Sequence, residues 1–284
     1  MTNLDVLAAK SLDVGLADSN LPEDVKNTIR QISEPAICFD LMAEPAPATL
    51  GTSRAGGLPD LPKSVSWPRV TDWSAPVFAL QINLTDLPKN NRLPNHGLLS
   101  LFVYDECGYD HHFLYTEDLS DLERKAWPAD MSLPFDLDDM YVSPTEVDDN
   151  IRTLRDCKIK FYAKCSWDEY ALEETLLPHT LSTEQSNILY ALNGHPNQIL
   201  GVCTAIHDRS LSWVGRYAAT NEPIPDKRTD GPEDPSAWEI FMTLWSNSEA
   251  AMNWHGDSHA LIIAIPTEDL DARNFERTYS TIDG

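Results

Sequence analysis

Hydrophobic positions near the start of the chain recur with the period of a helix. Residues 3–14 and 21–32 carry apolar side chains three or four positions apart, and in the second run Val25 and Ile29 fall on one face. We predict a helix over each run. The second helix is expected to have Asn20 as its N-cap and acidic residues in its first turn.

A third run of helical period, residues 182–192, has clear start and stop signals. Ser182 or Thr183 precedes Glu184 and Gln185, which is the pattern of a capping box. The sequence "NGHP" follows, and a glycine followed by a proline is typical of a helix end. We therefore predict a third helix over this run.

Short apolar or alternating runs, bounded by Pro, Gly and Asn, predict strands. These runs are 36–42, 76–84, 97–105, 157–165, 238–246 and 259–266. A short polar connector joins 76–84 to 97–105, so we expect these two strands to pair. The same argument pairs 238–246 with 259–266. Together the runs predict an α+β fold with mixed, mostly antiparallel sheets and peripheral helices.

A weak internal repeat accompanies this order of elements. "GGLP", "FALQINL" and "GLLSLFVYDE" recur later as "NGHP", "IFMTLWS" and "HALIIAIPTED". Each set reads as a glycine-proline turn, a strand, a loop and a second strand. The repeat indicates two similar halves that share one sheet system, and turns of the same kind that arose independently would explain it equally well.

The segment 56–68, "GGLPDLPKSVSWP", holds two glycines and three prolines directly before a predicted strand. Its glycines permit unusual backbone angles, whereas each proline fixes its own φ. Such a rigid segment can form a packed lid over the sheet. It can also form the rim of a ligand-binding cleft, and Arg54, Trp67 and Gln81 are then the candidate binding residues.

The charge of the chain narrows the choice of partners. Forty-five acidic residues against twenty-one Lys and Arg give a net charge of −24, and residues 105–156 alone hold fifteen acids and four bases, a local −11. Such a polyanion repels nucleic acid and anionic membranes. Two readings stay open: a solvated acidic surface, or a surface that captures a basic protein. The candidate contacts for a basic partner are the adjacent pairs Asp138, Asp139, Asp148 and Asp149.

The cellular setting is predicted from what the sequence lacks. No run of eighteen apolar residues occurs, so we expect no membrane span. The N-terminus has no basic region followed by an apolar block, so we expect no export signal. The odd number of cysteines at irregular spacing favours reduced thiols in the cytoplasm. These cysteines are Cys38, Cys107, Cys157, Cys165 and Cys203.

Candidate catalytic or metal-binding residues are few. In "WHGDSH", His255, Asp257 and His259 stand at alternate positions and would share one side of an extended strand, where they could bind a divalent metal or form an acid–base set. The stretch falls at a Gly-Asp turn, where alternation need not hold. His111 and His112 are interpreted as surface or loop histidines. No common catalytic motif is present, and we expect no cofactor.

Five segments in order carry a family resemblance. They are "GGLPDLP…WP", "FALQINLTDLP", "LPNHGLLSLFVY", "LNGHPNQI" and "WHGDSHALIIAIPTEDLDARNFER". Together they resemble the YwqG-like family of uncharacterised bacterial proteins over roughly residues 50–284. The resemblance implies an α+β fold and no established enzymatic activity. It divides the chain into a helical region, 1–49, packed on a YwqG-like domain, 50–284.

These observations favour a non-catalytic, cytoplasmic binding protein. Its concrete form is an immunity protein that neutralises a basic bacterial toxin, because a toxin that acts on nucleic acid must be cationic and an acidic partner would cover its surface. The alternatives are a metal-dependent hydrolase or a small-ligand-binding module. These would use the turn of His255, Asp257 and His259, or the Trp67 rim.

Overall fold

Ten strands of the described residues form one large sheet in the computed structural model of the chain. The structure describes residues 1–69, 75–103, 111–130, 155–168, 172, 181–194, 196–202, 232, 234–247, 252, 254 and 259–283. In these residues no helix is long and apolar enough to cross a membrane.

The predicted helices and strands lie in the predicted order, and the described residues add one short helix and six strands that were not predicted. The helices of the described residues are α1 (Asn3–Ala17), α2 (Glu23–Ile32), α3 (Thr183–Asn193) and α4 (Thr267–Ala272). The first strands are β1 (Glu34–Met42), β2 (Arg54–Ala55), β3 (Asp60–Pro62), β4 (Val77–Asn83), β5 (Leu98–Val103) and β6 (His111–Thr116). The later strands are β7 (Leu122–Arg124), β8 (Cys157–Ser166), β9 (Asn197–Ile199), β10 (Trp238–Trp245), β11 (Ala260–Pro266) and β12 (Tyr279–Asp283).

The N-terminal helices form where their apolar period predicts them. A capping box between Thr2 and Asp5 starts α1. The predicted N-cap of α2 is wrong, because the residue at that place is Pro22, which fixes its own φ and lets the helix begin one residue later. Asn20 lies outside the helix, and its Nδ2 donates a hydrogen bond of 3.3 Å to Glu184 of α3.

The third helix agrees with its predicted signals. Ser182 is the N-cap of α3, and its side chain accepts a hydrogen bond from the backbone N–H of Gln185, whose side chain bonds back to the cap. Gly194, with φ of 61°, ends the helix. A cluster of buried apolar side chains joins α1 and α2 to β8 and to α3.

The sheet confirms the predicted α+β class and both predicted strand pairs. Its order is β12-β11-β10-β9-β1-β8-β2-β4-β5-β6, and each neighbouring pair is antiparallel. The pairs β4 with β5 and β10 with β11 are those expected from their short connectors. A separate two-stranded sheet joins β3 to β7.

The two faces of the sheet differ in what covers them. The inner face carries the main apolar core, to which every strand of the large sheet except β12 contributes fully buried side chains, and the partly buried Ile282 of β12 packs against it. The opposite, outer face carries a smaller apolar cluster around Trp67, Phe78 and Phe102 over β4 and β5. Side chains that alternate along each strand therefore belong to different layers.

The sheet curves until the side chains of its edge strands meet. His111 of β6 lies with Nε2 2.7 Å from Thr278 Oγ1 and with Nδ1 2.8 Å from Ser280 Oγ of β12. All three side chains are buried. The expectation of a surface or loop histidine at His111 is wrong, because the ring is held between two hydroxyl groups at this seam.

The large sheet consists of two halves with the same plan. The first half is β8-β2-β4-β5-β6, the second is β1-β9-β10-β11-β12, and the halves meet where β1 pairs with β8. In both halves the third strand has a register shift of one residue against the fourth, between Phe78 and Leu80 and between Ile240 and Met242. The predicted similarity of the halves is therefore visible in their strand order and bulges.

Backbone hydrogen bonds repeat between the halves. Gly56 N donates to Ala79 O (2.7 Å), and Leu200 N donates to Phe241 O (3.0 Å). Further along, Leu84 N donates to Gly97 O and Ser246 N donates to His259 O, both at 2.9 Å. These bonds match "FALQINL" to "IFMTLWS" and "GLLSLFVYDE" to "HALIIAIPTED", as the sequence predicts.

The turn of the predicted repeat is assigned wrongly. Leu200 and Gly201, with φ of 62° and 79°, are the counterparts of Gly56 and Gly57, with φ of 64° and 69°. "NGHP" instead ends α3. The error arises because Leu200 adopts a left-handed conformation that leucine rarely takes, so no glycine pair marks this turn.

The halves also exchange their first strands. Along the chain, β1 precedes the strands of the first half, and β8 precedes those of the second. In space β1 pairs with β9, whereas β8 pairs with β2. Each half is therefore completed by the strand that belongs, in sequence, to the other.

Candidate functional site

The turn after β2 brings the following segment back over the outer face of the sheet. Gly56 and Gly57 both have positive φ, which residues with a Cβ adopt only at a cost. A Cβ on Gly57 would lie 3.0 Å from Cβ of Asp156, so the close approach also requires glycine. The turn places Asp60 of β3 against Gln81 of β4.

Asp60 is the centre of a buried polar cluster. Its carboxylate accepts hydrogen bonds from Gly51 N (2.9 Å), Gln81 Nε2 (2.8 Å) and Arg124 Nε (2.9 Å). Its backbone N–H donates to Gln81 Oε1 at 2.8 Å. The amide of Gln81 thus binds both the N–H and the carboxylate of one residue. A buried carboxylate is tolerated when it is paired and hydrogen-bonded in this way.

Arg54 is a further charged residue beside this cluster. Its Nη1 lies 3.2 Å from Asp156 Oδ2, and its Nη2 donates to Pro47 O at 2.6 Å. Burial lowers the pKa of Arg54, and attraction to Asp156 opposes that shift. Burial likewise raises the pKa of Asp156, against the attraction of Arg54. The ion pair therefore holds two charges that desolvation disfavours, and it ties β2 to the start of β8.

Trp67 lies in the apolar cluster on the same face. It is 5% exposed, its Nε1 donates to Pro76 O at 2.9 Å, and its ring packs edge-on against Phe102 and Trp127. The segment 56–68 is therefore a packed cover over β4 and β5. This is the lid expected from its prolines and glycines.

The predicted binding residues of this region lie close together, but they are buried between the sheet and its cover segment. Arg54 and Gln81 face each other on neighbouring strands, and Trp67 covers the same side of the sheet. The exposures of Arg54 and Gln81 are 1% and 0%. A ligand-binding role for these three residues stays a prediction.

The other predicted site residues are described only in part. Asp138, Asp139, Asp148, Asp149, His255 and Asp257 lie outside the described residues. His259 precedes β11, and its Nδ1 is buried without a hydrogen-bond partner. Within the described ranges, no three His, Cys, Asp or Glu side chains come together as a metal site. Cys38, Cys157 and Cys165 are buried thiols.

The second half has different side chains at the positions of the polar cluster. Gln198 of β9 pairs with Thr243 of β10 in the register in which Arg54 pairs with Gln81. Both are buried, at 0% and 1% exposure. Gln198 Nε2 donates to Val202 O at 2.7 Å, whereas Gln198 Oε1 and Thr243 Oγ1 have no partner.

Several polar residues of these sites are missed by sequence reasoning. Asp60 and Arg124 read as ordinary surface charges, and Gln198 and Thr243 carry no motif. A usable signal exists for Asp60, which is a single acid among apolar and proline residues in "GLPDLP". An acid in such a context favours a buried, paired carboxylate.

A comparison with known protein families decides the relationship. Residues 53–284 match the family described as "Domain of unknown function (DUF1963)". The chain belongs to this DUF1963 family. A search of curated proteins finds no match.

The DUF1963 match begins at Ser53, one residue before β2. The matched residues include the polar pairs of both halves of the sheet, which are Arg54 with Gln81 and Gln198 with Thr243. The helices α1 and α2 and the strand β1 precede it. The first strand of the second half, β1, thus comes from a part of the chain that the family match does not include.

Proposed function

We propose that this DUF1963 protein is a non-catalytic binding protein whose acidic surface captures a basic protein partner. The observation that carries the proposal is the distribution of charge in residues 105–156, which hold a net −11 of the chain's −24. Opposite charges on two proteins steer their encounter and raise the association rate.

The described part of this stretch supports the proposal. Glu117, Asp121 and Asp130 have 61–70% of their side chains exposed. Two of the bases are engaged by acids: Arg124 binds the buried Asp60, and Lys125 lies 2.5 Å from Glu123 with 17% of its side chain exposed, whereas Arg155 is exposed. Asp121 and Asp130 are paired with Lys63 and Arg69, and a cationic partner would compete with these two bases for the exposed carboxylates.

A basic bacterial toxin is the partner that this chemistry fits best. A toxin that acts on nucleic acid carries a cationic surface, and an acidic protein that covers this surface blocks access to the substrate. We propose that the chain is such an immunity protein, that it works in the bacterial cytoplasm, and that it is YwqG-like within its family. The segments that carry this last resemblance fall largely within the matched residues 53–284.

A pull-down from the native cell with mass spectrometry is the experiment that identifies the partner. The association rate is then measured between roughly 20 and 300 mM salt, over which the screening length falls several-fold. We expect the rate to fall steeply. Replacing Asp138, Asp139, Asp148 and Asp149 with Asn should lower the association rate more than it raises the dissociation rate.

A matched control removes the same number of charges elsewhere. Asp13, Asp18, Glu23 and Asp24 lie on the N-terminal helices and are exposed. Replacing these four with Asn or Gln should leave the association rate close to that of the wild type at equal salt. A salt-insensitive rate, or equal effects of the two quadruple variants, would show that residues 105–156 are not the contact surface.

A further inference from the structure

Two neighbouring polar side chains on the outer face of the second half each have an oxygen atom without a hydrogen-bond partner. They are Gln198, through Oε1, and Thr243, through Oγ1. Both side chains are fully covered, and they face each other across β9 and β10. Burying such groups without a partner costs free energy, so their presence points to a partner that the chain itself does not supply.

The first half shows what such a partner looks like. At the matching place, Gln81 binds the N–H and the carboxylate of Asp60. Asp60 comes from the cover segment of its own chain. One residue with an N–H donor beside a carboxylate therefore satisfies Gln81 from within the chain, whereas Nε of the neighbouring Arg54 stays without a partner.

The side chains around Gln198 and Thr243 supply charges for a ligand of the same kind. Cys38 of β1 is the neighbour of Gln198, and Tyr162 of β8 is the neighbour of Cys38. Lys160 and Lys164 flank Tyr162 on the same face of β8, since alternate residues of a strand share a face. The strands β8 and β9 lie on either side of β1, about 10 Å apart, so side chains from both can reach one small molecule.

Lys164 is also poorly solvated. Burial lowers its pKa, and its Nζ donates to Asn193 O at the end of α3. An ammonium group has three donors, so Lys164 can bind a carboxylate in addition to this carbonyl.

We propose that this outer face of β8, β1, β9 and β10 binds a free α-amino acid. Gln198 Oε1 and Thr243 Oγ1 accept hydrogen bonds from its ammonium group, and Lys164 and Lys160 bind its carboxylate. The proposal does not rest on the acidic stretch 105–156 of the proposed function. It is the second-half counterpart of the place that Asp60 fills in the first half.

The test is a thermal shift of the whole chain with each of the twenty amino acids, followed by calorimetry on those that bind. A ligand at about a hundred times its Kd should raise the Tm by several degrees. Succinate is the control for aspartate, and propionate is the control for alanine. Each control keeps the carboxylate but lacks the amino group, so we expect no shift from either.

Two variants test the assignment of residues. Thr243→Val and Gln198→Leu should each weaken binding about tenfold or more, the effect of one lost hydrogen bond to a charged group. Thr243→Val should not lower the Tm of the unliganded protein, because it removes an unpartnered buried hydroxyl. Thr281→Val, on β12 of the same face, is the matched control and should bind as the wild type does.

Three outcomes would overturn the proposal. The first is that none of the twenty amino acids binds, in which case buried water alone serves Gln198 and Thr243. The second is that succinate or propionate binds as well as its amino acid, because the N–H donors then play no part. The third is that Thr243→Val and Gln198→Leu bind as tightly as Thr281→Val.

Discussion

The two halves of the sheet share a backbone plan and differ in how they treat polar groups. The first half buries one member of each charged pair, Asp60 of Asp60–Arg124 and Arg54 of Arg54–Asp156, and leaves only Arg54 Nε of these two side chains without a partner. The second half has uncharged residues, Gln198 and Thr243, with two unpartnered atoms. A repeated fold can therefore keep its backbone plan while the polar groups at matching positions differ in charge and in their hydrogen bonding.

The inner face shows a second difference, at the bulge. The bulged residue is Ala79 in the first half and Phe241 in the second, and both are fully buried. Phe241 packs against Phe113 of β6 and stacks on Phe275. The larger side chain thus fills the space between the halves and joins the seam strand β6 to the second half. Asymmetry in the core supports one shared interior rather than two separate ones.

The largest expected effect is the loss of the polar centre of the first half. Asp60→Ala leaves Gln81, Gly51 N–H and Arg124 without their acceptor, and we expect the free energy of unfolding to fall by about 3 kcal/mol. This value is at the low end for a broken buried pair, because 26% of the Arg124 side chain is exposed. Denaturant unfolding measures it.

Asp121→Ala is the control for this change. It removes the same charge from an exposed pair with Lys63 and should change stability little. Equal stability of Asp60→Ala and Asp121→Ala would mean that the polar centre does not hold the cover segment in place.

The matching glycines of the two turns allow a direct comparison of the halves. A Cβ on Gly201 would lie 2.6 Å from Cβ of Ala36 and from Oγ of Ser166, whereas on Gly57 the nearest atom is 3.0 Å away. Gly201→Ala should therefore cost more than Gly57→Ala, with both in the range of about 1–3 kcal/mol for strain and overpacking. Thermal unfolding ranks the two variants, and the reverse order would contradict the matched turns.

The smallest expected effect is a change in stability at high pH that arises from β1 and β8, the two strands in the middle of the sheet. Burial raises the pKa of the Cys38 thiol to about 12, whereas its counterpart Lys158 is exposed. The unfolded chain loses this proton near pH 8.5–9, so stability falls as pH rises from about 9 towards 12, by up to about 1.4 kcal/mol per pH unit. Cys38→Ala should make the decline less steep.

A second buried thiol contributes to this pH dependence, and one outcome would contradict the role of Cys38. Burial also raises the pKa of Cys165, to about 11, so part of the decline should persist in Cys38→Ala. Unfolding by denaturant at several pH values gives both slopes. Identical slopes for Cys38→Ala and the wild type would show that Cys38 keeps no proton that the unfolded chain releases.

Much of the fold could be predicted because local signals agree with the final structure. The capping box at Ser182 and the alternation of Lys with apolar residues in β8 each correspond to an element. The pairing of β4 with β5 follows from a short connector. These features depend on neighbours in sequence, which is what periodicity and turn residues report.

The rest could not be predicted because it depends on distant contacts. Nothing near Phe39 indicates that it pairs with Asn197, 158 residues away. Aspartate is found mostly at protein surfaces, and histidine is intermediate between surface and interior. Asp60 and His111 are buried because the residues that bind their side chains, Arg124 and Thr278, come from distant parts of the sequence. Leu200 adopts a positive φ in a turn, and the sequence does not indicate this turn because leucine, unlike glycine, rarely adopts that conformation.

The exchanged first strands have a consequence for synthesis on the ribosome. β1 emerges early, but its partners β8 and β9 are translated far later. At roughly 5–20 residues per second, Phe39 waits on the order of 8 to 30 s for Asn197. During that time an apolar strand with unpaired edges is exposed to other chains. A pause in translation between β6 and β9 would lengthen this exposure, and a chaperone that covers β1 during it would raise the yield of folded protein.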